Sequence, residues 1–200
     1  MEAVRDAAAH MYEAAVRTPL VRLDLPFDTD GPEIYLKLES LQPIGSFKLR
    51  GAWNAIRRLP REVLRDGVWT VSAGNAAQGV AFAARRAGVP CTVRLWGSDA
   101  ENVAGNAREA VRFGADKIDL NFGCPAPTVN KHQGGAVLLK EPQRIYHIVK
   151  TLRTALPEHI TLSAKMRLGF EDKSLALENA LAIAEGGASA LAVHARTKVE

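Results

Sequence analysis

Lys48 closes the run Gln42-Pro-Ile-Gly-Ser-Phe-Lys48, Cys124 follows Asn121-Phe-Gly, Lys165 opens Lys165-Met-Arg-Leu-Gly169, and His194 and Arg196 share His194-Ala-Arg-Thr197. These residue types do different chemistry. A lysine amine becomes a nucleophile once burial and neighbours lower its pKa from about 10.4, whereas a lysine that merely starts a helix is surface decoration. A thiol with an unperturbed pKa of about 8.5 is mostly protonated at neutral pH and can give up its proton. Ser72-Ala-Gly-Asn75 runs from a strand into a helix, where the N-terminal turn favours anions and the glycine suits the turn's backbone. Taken singly, Cys124 reads as buried filler and Lys165 or His194 as structural residues. Their joint spacing raises them to candidates.

The elements that must position these residues follow from hydrophobic period and punctuation. Val4, Ala8, Met11, Tyr12 and Ala15 predict a helix over 2–16, ended before Pro19. Strands are expected at 33–39 and 67–73, with helices at 48–58 and 76–86. Turns are expected at Gly31-Pro32 and Leu59-Pro60. Cys91, Val93 and Leu95 alternate between Gly88-Val-Pro90 and Gly97-Ser98, which predicts a buried strand over 91–96. Beyond it the chain predicts a helix over 101–113 stopped at Gly114, a strand at 117–120, a helix near 143–156, a strand at 160–165, a helix near 174–185 and a strand at 189–194. Strands separated by helices of this length imply right-handed βαβ units. The fold class expected is α/β, with six or seven strands in a mostly parallel sheet, open or closing into part of a barrel.

The first half resembles a known family. Arg17-Thr-Pro-Leu20, Leu36-Lys-Leu-Glu39 and Gln42-Pro-Ile-Gly-Ser-Phe-Lys-Leu-Arg-Gly-Ala52 look like the start of a threonine or serine dehydratase of the pyridoxal-phosphate type, the group that includes serine racemase and the tryptophan synthase β chain. The resemblance implies that Lys48 forms the Schiff base with pyridoxal phosphate. It also implies that Ser72 and the backbone at Gly74 hold the carboxylate of a small amino acid such as threonine or serine, and that Asn75 faces the ring hydroxyl of the cofactor. That family's glycine-rich phosphate loop has no counterpart downstream of Lys48, where Gly134-Gly135 and Gly186-Gly187 are only pairs.

The second half resembles a different family. Asp119-Leu-Asn-Phe-Gly-Cys-Pro125, Lys165-Met-Arg-Leu-Gly169 and His194-Ala-Arg-Thr197 are similar to the tRNA-dihydrouridine synthases, flavin enzymes on a (β/α)8 barrel. The resemblance implies FMN, with NADPH as reductant, and tRNA as partner. It assigns Cys124 as the acid that protonates C5 of uracil and Asn121 as a uridine contact. Lys165 and His194 would contact the flavin, and Arg196 the flavin edge or RNA. Arg94 occupies the place of a flavin-contacting glutamine. These residues fall at or just beyond strand C-terminal ends, where barrel enzymes keep their chemistry.

Two inheritances thus meet near the strand at 91–96. Residues 1–92 are read as a fragment of a pyridoxal-phosphate-enzyme α/β domain, joined to residues 93–200 as a partial (β/α) barrel. Composition bounds the rest. The chain is 47% hydrophobic and 24% charged, as in globular proteins, with no apolar run long enough to cross a bilayer, and its start, Met1-Glu-Ala-Val-Arg-Asp6, is not expected to act as a secretory signal. Its two cysteines support neither a disulfide framework nor a zinc site, and a formal charge of +4 does not argue for RNA by itself. The expected location is the cytoplasm. Three functions follow: FMN-dependent reduction of uridine in tRNA, impaired by an incomplete barrel; a pyridoxal-phosphate ammonia-lyase fragment; or a non-catalytic chimera. The outer strands of an open sheet also favour self-association.

Overall fold

The computed structural model describes residues 1–24, 33–72 and 74–200. The turn expected at Gly31-Pro32 lies outside them, as does Ala73. Alternation at Cys91, Val93 and Leu95 sets the centre of the molecule: all three are buried on one face of the strand Cys91–Leu95, while Thr92 and Arg94 look the other way. The same period governs its neighbours. Val68–Val71 (β3), Cys91–Leu95 (β4), Lys117–Phe122 (β5), Thr161–Gly169 (β6) and Ala190–Thr197 (β7) form one sheet in the order β3-β4-β5-β6-β7, every adjacent pair parallel. The remaining strands, Leu20–Arg22 (β1) and Tyr35–Lys37 (β2), form a separate antiparallel pair.

Strand order equals chain order throughout the large sheet. With right-handed crossovers and no reversal, successive helices fall on the same side. The helices Asn75–Ala87 (α4), Ala100–Phe113 (α5), Pro142–Ala155 (α7) and Ala176–Glu185 (α8) accordingly pack each against the next. Earlier in the chain lie Glu2–His10 (α1), Lys48–Arg57 (α2) and Arg61–Leu64 (α3), and α2 packs on α4. The core lies between the sheet and this layer, with Val93, Ile118, Leu120 and Leu162 from the strands meeting Ala104, Ala107, Ile148 and Leu152 from the helices. The opposite face carries Trp69, Arg94, Asp119, Ser163 and Lys165 and has no helix packed on it among the described residues.

The helix signals read from sequence are realised in detail. The Asn102 N–H donates to Asp99 Oδ1 at the start of α5, and Gly114 ends it in the left-handed conformation at φ 118°. Two expectations near the N-terminus are corrected. The first helix stops at His10 and tightens into a 3-10 turn at Met11–Glu13; Met11 and Ala15 are buried, but Val4 and Tyr12 are exposed. The strand expected over 33–39 shortens to Tyr35–Lys37, exposed along its length, since it pairs only with β1. In the other direction, β5 and β6 run past their expected ends because Asn121 pairs with Lys165 and Phe122 with Met166. No helix among the described residues is long and apolar enough to cross a membrane.

Candidate functional site

Because all five strands of the large sheet are parallel, their C-terminal ends share one rim. Each candidate residue outside α2 lies on it: Ser72 to Asn75 after β3, Arg94 late in β4, Asn121 and Cys124 at and after the end of β5, Lys165 in β6, and His194 and Arg196 in β7. Register puts Asn121 beside Lys165, Lys165 beside Ala192 and Arg167 beside His194. Four cationic or ionisable side chains, Lys165, Arg167, His194 and Arg196, therefore crowd the ends of two adjacent strands. Partial loss of solvent, then the charges of Arg167, Lys165 and Arg196, lower the pKa of the His194 imidazole from its ordinary value.

Cys124 is half-buried in the loop after β5. The chain before it is pinned twice, since the Gly123 N–H donates to Asn121 Oδ1 at 3.0 Å and its carbonyl accepts from Arg167 Nε at 2.9 Å. Arg167 also donates through Nη1 to the Thr197 carbonyl at 3.0 Å, tying β5, β6 and β7 together at the rim. With Asn121 Oδ1 engaged, its amide nitrogen is the group left to donate outward. The other thiol is of a different kind. Cys91 is buried against the helices, and burial, with the charge of Asp116, pushes its thiol up to about 12.

Arg94 has a partner that sequence reading missed. Its Nε donates to Asp119 Oδ2 at 2.6 Å, Asp119 Oδ1 accepts from Ser163 Oγ at 2.6 Å, and the guanidinium lies 5.6 Å from the Trp69 ring centroid. A polar chain thus crosses β4, β5 and β6, and Asp119 is nearly buried at its centre. Strand register, which sets Arg94 directly opposite Asp119, is the signal that could have found it.

The first-half motif residues make a compact polar knot. Arg50 grips Glu39 with two hydrogen bonds of 2.8 Å, Thr18 Oγ1 donates to Glu39 Oε1 at 2.6 Å, and buried Gln42 bonds both the Val16 backbone and Glu39. Arg50 beside it, outweighing the opposing effect of burial, lowers the Glu39 carboxyl to about 2. Lys48 is exposed, its amine 4.8 Å from the centroid of its neighbour Phe47. Ser72 Oγ accepts from the Gly74 N–H, and Asn75 is exposed at the first turn of α4. The expectation that Gly74 is demanded by its backbone is not met: its φ is −141° and an added Cβ would enter open space. Glycine is required one turn on, at Gly79, where a Cβ would come within 3.2 Å of the Lys48 carbonyl.

A sheet of sequentially ordered parallel strands, with a thiol, an amide and a cationic group at one rim, defines an α/β protein of the kind that works at strand ends. The dihydrouridine synthase (Dus) family model matches residues 70–200, and the chain belongs to this family. The match starts inside β3, upstream of the boundary expected at 93. Among curated relatives, a tRNA-dihydrouridine(16) synthase of Neisseria meningitidis serogroup A is 77% identical over 113 residues, covering 56% of this chain and 34% of that protein. The enzyme of the same name from Aquipseudomonas alcaligenes is 59% identical over 115 residues, 58% of this chain and 36% of the relative. The chain spans about a third of the length of the curated relatives it matches. Among solved structures, the processed form of threonine deaminase isoform 2 from Solanum lycopersicum superposes with a TM-score of 0.53 at 21% identity, covering 97% of this chain and 74% of that one. This likeness is one of fold.

Proposed function

We propose that the rim is the catalytic edge of a partial (β/α) barrel that reduces uridine in tRNA to dihydrouridine with FMN, and that NADPH is the reductant. The observation that carries this reading is the placement of Asn121, Lys165 and His194 on the adjacent strands β5, β6 and β7, with Cys124 just after β5, in a chain of the dihydrouridine synthase family. The donor set fits the cofactor: Lys165, His194 and Arg196 make no side-chain hydrogen bond among the described residues and can face an anionic, acceptor-rich group. When bound, reduced flavin supplies the hydride for C6 of the uracil. Cys124 would deliver the proton to C5 from its thiol, acting as the general acid. The Asn121 amide nitrogen donates to a uracil carbonyl. Lys165 and His194 would hold the flavin, and Arg196 would meet its edge or the RNA backbone. Arg94, drawn to Asp119, presents the rest of its guanidinium to the same space.

The pyridoxal-phosphate reading of the first half fits less well, because the Lys48 amine is exposed rather than desolvated, as a nucleophilic lysine would be. The two inheritances meet, on this reading, within the continuous sheet at β3 and β4. Among the described residues, β3 and β7 are the outer strands of this sheet. A cytoplasmic setting, where tRNA is modified, suits the activity.

The purified protein tests the reading through its absorption spectrum after incubation with each cofactor. A flavin spectrum supports it. A borohydride-trappable adduct on Lys48 supports the lyase instead, and a sample that takes up neither cofactor overturns both. Cys124→Ala should bring uridine reduction on a tRNA transcript to background while sparing flavin binding; unchanged reduction removes Cys124 from the mechanism.

A further inference from the structure

Between Cys124 and the helix α7 the chain makes a short helix, Pro127–Lys131 (α6), and a 3-10 segment, Gly135–Lys140. At the centre of this excursion stands Asn130. Its Nδ2 donates to the Cys124 carbonyl at 3.1 Å and to the Ala126 carbonyl at 2.8 Å, while its Oδ1 accepts from the Val137 N–H at 2.8 Å. One side chain thus joins the loop that leaves β5 to the segment that returns toward α7. The Cys124 carbonyl receives a second donor, the Ala136 N–H at 3.0 Å. Gly135 closes the seat. It adopts φ 67°, and a Cβ there would stand 2.8 Å from the Cys124 carbonyl oxygen and 3.0 Å from the Cys124 Cβ.

We infer that Asn130 is the positioning residue of the Cys124 thiol, with Gly135 as the surface on which the cysteine rests. The peptide before Cys124 is fixed by Asn121 and Arg167, and the peptide after it by Asn130 and Ala136, so the direction of the Cα–Cβ bond is set from both sides. The amide is the one side chain of this size that can give two hydrogen bonds and take one at these positions. A carboxylate would turn lone pairs toward two carbonyls, and glutamine would overshoot by a methylene. The geometric statement stands on its own; its catalytic consequence rests on Cys124 being the proton donor of the proposed reaction.

The test compares Asn130→Ala, Asn130→Asp and Gly135→Ala with the parent protein. Cys124 reactivity is read with 4,4′-dithiodipyridine, which works from acid to neutral pH, and buried Cys91 serves as the internal silent thiol. Both Asn130 variants should expose the thiol and react about tenfold faster at pH 7, a change of about 1.4 kcal/mol in loop opening. For Asn130→Asp the excess should vanish as pH falls through the carboxyl's titration, since the neutral acid regains a donor. Asn130→Ala should show no such recovery. Gly135→Ala pushes on the cysteine from the other side and should change the rate without touching the amide. A merely structural Asn130 would lower the denaturation midpoint of both variants without this pH-dependent rescue.

Parent-like thiol rates in folded Asn130→Ala and Asn130→Asp overturn the inference, as does a parent-like Gly135→Ala if the Asn130 variants do not fold. Uridine reduction separates the two layers: kcat should fall about tenfold with KM unchanged. Altered thiol rates with unaltered kcat retain the positioning and refute Cys124 as the acid.

Discussion

Removing the carboxylate at the centre of the Arg94, Asp119 and Ser163 chain tests whether the helix-free face of the sheet is held together by charge. Asp119→Ala deletes two charge-assisted hydrogen bonds of 2.6 Å, each worth about 1.5–3 kcal/mol. It strands Ser163, which is buried, but Arg94 is 31% exposed and can turn to water, recovering roughly half of the loss. The net expectation is about 2–3 kcal/mol of destabilisation, or a Tm lower by about 4–12 °C for a chain of this size. Urea denaturation followed by far-ultraviolet circular dichroism measures it. Arg94→Gln and the double variant complete a thermodynamic cycle, in which the pair should show a coupling of about 1 kcal/mol or more. Stability of Asp119→Ala within about 0.5 kcal/mol of the parent, or additivity to that margin, refutes the reasoning.

Glu39 should make the first half acid-sensitive. Its folded pKa, about 2, lies below the ordinary 4.5, so its contribution is complete above about 4.5 and is lost as pH falls toward 2. The shift corresponds to roughly 3 kcal/mol, which solvent beside the pair reduces to about 1–2 kcal/mol; Glu39→Gln should flatten the acid limb of a stability-against-pH curve, and an unchanged limb would remove Glu39 as its source. At the rim, Lys165→Ala and Arg196→Ala should each raise the His194 pKa, as read from the imidazole proton shifts in an NMR titration. A lowered or unmoved value would mean those charges do not reach the ring.

Much of the fold was legible because its signal is local. The strand expected at 91–96 is found at 91–95, and the helix expected at 101–113 is found at 100–113, since Asp99 and Gly114 mark its ends chemically as well as by period. The strand at 160–165 was cut short because its continuation, Met166-Arg-Leu-Gly169, alternates an apolar side chain toward the helices with Arg167 toward the rim, a pattern visible only once the sheet's two faces are known. The expected N-terminal helix is longer than the one found for the opposite reason: Val4 and Tyr12 fit a helical stripe yet stay exposed. At the site, motif order could single out Asn121, Cys124, Lys165 and His194, although Lys165 and His194 lie within β6 and β7 rather than at their ends. It could not single out Asp119 and Asn130, since one depends on register across β4 and β5 and the other on closure of a loop from residue 124 to 137. The sole hint for the latter was an asparagine followed closely by Gly134-Gly135, where the backbone must come close.

Sequential strand order also bears on how the chain can be made. Each strand of the large sheet after β3 pairs with the one synthesised just before it, so each new βα unit finds its docking edge already in place and no strand must wait for a distant partner. Growth from β3 toward β7 can therefore keep pace with translation, and at each stage the edge that receives the next strand belongs to the segment that has most recently emerged.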